Sequence, residues 1–154
     1  MFLSFLLLVH LLGFAAFAVG ALVQQQFMRR SSQAGLVAAV RDEYERLAAA
    51  FSTKVELTGL FVQVLSGVGI VAVMPDFLKQ HWLHAKLTAV LVLLVLAHVD
   101  MINARRIVKA RQARGEAADG EIAPRKQRQA TVGVVVDVLI VAVLLLVTVL
   151  RTAF

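Results

Sequence analysis

A chain of 154 residues that is 60% hydrophobic, with a mean hydropathy of +0.80 and a formal charge of +6, does not suit a soluble domain. Its apolar runs are too long for one small core to hide, whereas a membrane bundle accommodates them. The lack of cysteine excludes disulfide frameworks, thiolate metal sites and cysteine nucleophiles. The basic residues cluster beside apolar runs, where positive charge sets orientation across a bilayer and gives no reason to expect nucleic acid.

Residues 2–23 form the first apolar run. Ala16-Phe17-Ala18 resembles a signal cleavage site, yet no Lys or Arg precedes the run and it outlasts a signal core, so a retained spanning helix is expected. Between residues 29 and 53, Arg29, Arg30, Arg41 and Arg46 mix with acidic residues. There Val37, Val40, Tyr44, Leu47 and Phe51 recur at helical spacing, which predicts a short cytoplasmic amphipathic helix. Residues 54–74 form the second span, whose Gly59, Ser66, Gly67 and Gly69 let backbones approach closely, and Pro75 ends it. The short link that follows predicts an antiparallel hairpin between the second span and the third, at about 80–103. Residues 104–130 are basic, and Gly115, Gly120 and Pro124 mark them as a loop. Residues 131–151 form the fourth span and contain Asp137.

Five Lys or Arg belong to the first loop with its edge and eight to the last, leaving only Lys79, Lys86 and Arg151. Both loops are therefore expected on the cytoplasmic side. The expected fold is an all-α integral membrane four-helix bundle, N-out/C-out, forming a single four-span domain over residues 1–154.

The third span carries the chemistry. Trp82 to Asn103 is long enough to cross a bilayer and holds His84 and Lys86 near its start and His98 and Asp100 near its end. Ionisable groups at membrane depth are costly and mark functional sites. His84, Thr88, Leu91, Val95 and His98 share one helical stripe, while Lys86 and Asp100 share another. The histidine stripe is expected to face the bundle centre, with Lys86 snorkelling to the headgroups. On the first helix His10 lies 19 positions before Arg29, and His84 lies 21 before Arg105, which puts the two imidazoles within about 3 Å of one another in height.

Facing imidazoles on neighbouring helices clamp haem iron while apolar side chains hold the macrocycle. His10 and His84 are thus expected to be the axial ligands of a haem b, with Phe14 and Phe17 as its wall and Lys86 available to a propionate. At the inner level His98 and Asp137 are expected to pair, orienting an imidazole or carrying protons, with Gln24 and Glu56 near in height. Lys86, His98 and Asp137 are the expected catalytic residues. The function this predicts is electron transfer or haem-linked oxidation. The alternative is a non-catalytic membrane subunit or small transporter whose polar residues only hold helices together.

The run Trp82-Leu83-His84-Ala85-Lys86-Leu87, with His98 near the end of that helix and His10 in the first, resembles the HemJ family of haem-containing bacterial protoporphyrinogen IX oxidases and the related CopD-like membrane proteins. The resemblance implies a bound b-type haem, oxidation of protoporphyrinogen with electrons passed to a quinone or another respiratory-chain partner, and a place in a bacterial inner membrane. It assigns His10, His84, Lys86 and His98 to the site. The chain departs from that family at Gln24 and Gln25, at Ala97, and around Ala130 to Gly133, which predicts weak or absent oxidase activity. Copper handling finds no soft-ligand cluster, with no cysteine and four scattered methionines. The partners expected are the lipid bilayer and, through the small-residue face of the second span, a homo-oligomer; no nucleic acid is expected.

Overall fold

The computed structural model describes residues 1–149, with side chains described through Leu145. In a bilayer an α-helix satisfies its own backbone polar groups, and this chain is helical almost throughout. Helix α1 (Phe2–Arg30) turns at Gly35, whose φ of 76° suits glycine. Helix α2 (Ala38–Phe51) continues through one π turn (Ser52–Glu56) into α3 (Leu57–Val73). A 3-10 turn (Pro75–Lys79) leads to α4 (His81–Arg114). A second 3-10 turn (Gly115–Ala118), begun by Gly115 at φ 54°, leads to α5 (Asp119–Val149).

Three helical runs are long and apolar enough to cross a membrane: Phe2–Arg30, Ala38–Val73 and His81–Leu145. The four-helix bundle expected from the sequence is corrected by this finding, since no fourth separate span stands beside them among the described residues. The N-out/C-out arrangement follows from the charge of the loops only with four crossings, and it falls with that count. Residues 104–130 are not a loop, because their apolar residues have a core to enter. Ile107, Ala118 and Ile122 pack with Met28 and Ala48 in a buried cluster, and the chain breaks only at the Gly115 turn. Nor is α2 a separate surface helix. Its Glu45 and Ala48 are buried, and it forms the first half of the second run. The expected end of the last span at Arg151 lies outside the described residues.

Helix α3 packs along α1 and hardly touches α4, so the hairpin expected from the short link is corrected as well. Close packing decides helix association in lipid, where apolar surface gains nothing by being covered. A Cβ on Gly13 would stand 2.7 Å from the Gln63 nitrogen, and one on Gly20 would stand 2.5 Å from the Glu56 nitrogen. One on Gly59 would run into the Phe17 nitrogen. The three glycines seat the two backbones against each other, and no such seam exists between α3 and α4. Phe17, Leu60, Leu93, Ala97 and Val136 fill the space between helices, while Leu11, Leu65, Leu91 and Val138 lie exposed on the outer face, as acyl chains require.

At the basic end an ion cluster joins α2, α4 and α5. Arg111 donates from two nitrogens to the two oxygens of Glu45, each at 3.1 Å, and from Nη1 to Asp119 at 2.6 Å. Lys126 reaches Glu45 at 2.7 Å and donates to the Ser31 carbonyl at 3.1 Å. The Arg111 and Glu45 side chains are 5% and 1% exposed, so each charge depends on its partners for the solvation it has lost.

Gly59→Ala is expected to cost about 1–3 kcal/mol of stability by overpacking against backbone, read as a lower Tm in mild detergent. Gly120→Ala, with nothing within 4 Å of its Cβ, is expected to leave Tm in place. Arg111→Ala is expected to cost about 3 kcal/mol, the low end for a broken buried pair because Lys126 still holds Glu45. The double substitution Glu45→Gln with Arg111→Met should recover part of that loss, and a double variant no better than the single one would contradict the assignment.

Candidate functional site

Helix α4 presents Lys86, Leu93, Ala97, Asp100, Ala104, Ile107 and Arg111 inward, whereas His84 and His98 are exposed. Two residues along a helix turn the side chain by about 200°, so a helix that points Lys86 at its neighbours points His84 away from them. The stripe chosen for the interior is therefore corrected: lysine and aspartate face in, and the histidines face out. The reason lies on the partner helix. α1 offers an imidazole opposite Lys86 and a carboxamide opposite Asp100, so both ionisable groups find hydrogen-bond partners that lipid would deny them.

Lys86 does not snorkel; its Nζ lies 3.3 Å from His10 Nε2. An ammonium has only hydrogens to give, so Nε2 accepts and Nδ1 carries the ring proton. That N–H donates to the Gln63 carbonyl at 2.8 Å and lies 3.2 Å from Ser66 Oγ. The Ser66 hydroxyl in turn donates to the Val62 carbonyl at 2.7 Å. His84 is engaged elsewhere, its Nε2 2.9 Å from the Leu78 carbonyl across the turn before α4.

The structure does not bring His10 and His84 together, and the residues do not fit a haem clamped between those two imidazoles. The one lone pair of His10 is directed at Lys86, and His84 lies on the far side of its helix. Phe17 is fully buried in the core and Phe14 packs beside it, so neither lines an open wall. Among the described residues no group of three or more His, Asp or Glu side chains is placed to hold a metal ion.

Deeper in the bundle lies a layer of carboxyls and carboxamides. Gln24 donates to Asp100 Oδ2 at 2.9 Å. Gln25 donates to Asp137 Oδ1 at 3.0 Å and to the Gly133 carbonyl at 3.3 Å. Asn103 donates to the Arg125 carbonyl at 2.9 Å and to Gln129 Oε1 at 3.4 Å. Asp137 thus takes Gln25 as its partner. The pairing expected with His98 is corrected, since His98 faces outward.

The π turn Ser52–Glu56 carries Glu56 into the same layer, where it is 1% exposed beside Asp100 at 4%; the two carboxyls act on each other electrostatically. Single π turns recur at functional sites because they shift the register of the side chains that follow. Four buried polar atoms in this layer, Ser52 Oγ, Glu56 Oε2, Asp100 Oδ1 and Gln129 Nε2, have no hydrogen-bond partner. Gln129 neighbours Asp100 and Ser52 neighbours Glu56, yet in neither pair is a hydrogen bond made. Gln129 also lines a cavity of about 550 Å³ that opens at the basic end between Arg41, Arg111 and Lys126.

Sequence reasoning placed Gln24 and Glu56 near this height but gave them no central role, and it passed over Gln25, Asn103 and Gln129. Two signals could have found the layer: the shared stripe of Lys86 and Asp100, and the run Gln24-Gln25-Gln26 closing an otherwise apolar helix.

No curated protein and no solved structure matches the chain. The family described as "Predicted integral membrane protein (DUF2269)" matches residues 4–153, almost the whole sequence. Its description agrees with three helical runs able to cross a membrane and with a lipid-facing apolar surface. This chain belongs to the DUF2269 family of integral membrane proteins.

Proposed function

We infer that this integral membrane protein is proton-coupled, with Glu56 and Asp100 taking up and releasing a proton inside the membrane. The observation that carries the reading is the pair of buried carboxyls, from different helices, each with an oxygen that lacks a hydrogen-bond partner. Carrying charge on both at once in such surroundings is expensive, so a proton shared between them is the economical arrangement. Asp137 differs from them: it is half-buried, and one of its oxygens accepts from Gln25. The cavity lined by Gln129 gives water a way toward Asp100 from the basic end. On the other side, Phe17, Leu93 and Ala97 form an apolar layer between Asp100 and the Lys86–His10 pair. Protons crossing the full bundle would require that layer to open, which suits a gated, coupled device better than a pore.

Haem-linked oxidation rests on the matched heights of His10 and His84 and on the third-helix resemblance, and the same resemblance supports placing the protein in a bacterial inner membrane. The Lys86 contact of His10 and the Leu78 contact of His84 count against that reading. The satisfied contacts of Asp137 and Asn103 support a purely structural role for those two residues, as in a non-catalytic subunit.

Infrared titration of the protein in bilayers is expected to show a carboxyl C=O band that changes with pH and is diminished in both Glu56→Gln and Asp100→Asn. Potentiometric titration of the protein in bilayers should find fewer protons bound per chain in each of the two variants. A carboxyl band insensitive to both substitutions, with unchanged proton binding, would defeat the proposal. Titration with hemin is expected to yield no low-spin bis-histidine spectrum. A Soret band lost in both His10→Ala and His84→Ala would restore the haem reading.

A further inference from the structure

Two adjoining cavities at the basic end have a combined character that the carboxyl layer does not explain. The first, about 550 Å³, is lined by Arg29, Arg41, Arg111 and Lys126 against a single acid, Asp119. Not all of that charge is free. Glu45 holds Arg111 and Lys126, Asp119 holds Arg41 and Arg111, and Asp42 lies 3.4 Å from Arg111. Arg29 makes no ion pair among the described residues and is exposed at the mouth. With Asp137 of the neighbouring cavity, four cations stand against four carboxylates, and Arg29 is the cation that none of them pairs among the described residues.

The second cavity, about 320 Å³, is lined by Leu22, Val23 and Gln26 together with Gln25 and Arg29, which it shares with the first. Its one acid, Asp137, already accepts a hydrogen bond from Gln25. Leu22 is 55% exposed on the outer face of α1, so this cavity meets the acyl chains directly. A recess lined by four cations beside a smaller one that Leu22 and Val23 open toward lipid, with an arginine free of ion pairs at their junction, matches a molecule with an anionic head and a hydrocarbon tail. Basic pockets between membrane helices hold anionic headgroups in this way, and the planar guanidinium suits a phosphate.

We propose that these cavities form a binding site for an anionic phospholipid, the phosphate in the basic recess against Arg29 and an acyl chain over Leu22 and Val23. The shared chemistry with a soluble anion is the phosphate; the tail cavity assigns it to lipid. The site does not depend on proton coupling at Glu56 and Asp100.

The test uses the full chain in mild detergent, with phosphatidylglycerol, phosphatidylcholine and inorganic phosphate as separate probes. Binding is read by the rise in Tm and by lipid retained in native mass spectrometry. Phosphatidylglycerol is expected to raise Tm more than phosphatidylcholine does, and rising salt should weaken it. Arg29→Gln should bind phosphatidylglycerol about fivefold more weakly, the effect of one cation near an anionic headgroup. Its lipid-free Tm should not move, because Arg29 supports no other contact. Arg29→Lys should retain most of the binding. Leu22→Asn should also weaken the lipid while leaving any binding of inorganic phosphate unchanged. Equal stabilisation by the two lipids, undiminished binding in Arg29→Gln, or full reproduction of the effect by inorganic phosphate would each overturn the proposal.

Discussion

The close approach of α1 to α3 is the constraint from which the interior follows. With Gly13, Gly20 and Gly59 at the seam, the two backbones come into contact, and every polar group on either helix is brought to a fixed height against the other. His10 meets the Gln63 carbonyl and Ser66 because Gly13 lets Gln63 in. Glu56 enters the layer of Gln24 because Gly20 leaves room for its backbone. Larger residues at those positions would separate the helices by more than a hydrogen bond can span, and the polar groups of α1 would face lipid.

Given that seam, α4 has little freedom. Gln24 offers a donor at one level and His10 an acceptor at another, and the Asp100–Lys86 stripe is the one whose spacing meets both. The two contacts lie about 21 Å apart along the axis, far enough to fix both the rotation and the tilt of the helix. The ion cluster of Arg111, Glu45, Asp119 and Lys126 then secures the basic end. It joins residues distant in sequence, and it turns a stretch rich in glycine, proline and charge into ordered helix.

The layer that results is unevenly satisfied. Asp137, Asn103 and Gln25 have partners, whereas Glu56, Asp100, Ser52 and Gln129 each retain an atom without one. Buried polar groups are paired unless something else holds them, so the unpaired atoms mark where a proton, water or moving group belongs.

The sequence alone determined the membrane environment, the helical character of its apolar runs and the importance of small residues on the second run, because these follow from composition and local spacing. It also identified which residues share a stripe, since that depends only on the helical period. It did not determine which stripe of α4 faces inward. Rotation about the helix axis is set by the partners α1 presents, and those lie more than seventy residues away in sequence, as Gln24 to Asp100 and His10 to Lys86 show. Residues 104–130 are misread for a related reason. Gly115, Gly120 and Pro124 are local breaking signals, while the burial of Ile107 and Ile122 against Met28 and Ala48 exists only once the chain has folded. Tertiary packing outweighs local propensity there because it removes more apolar surface from water than the breakers cost.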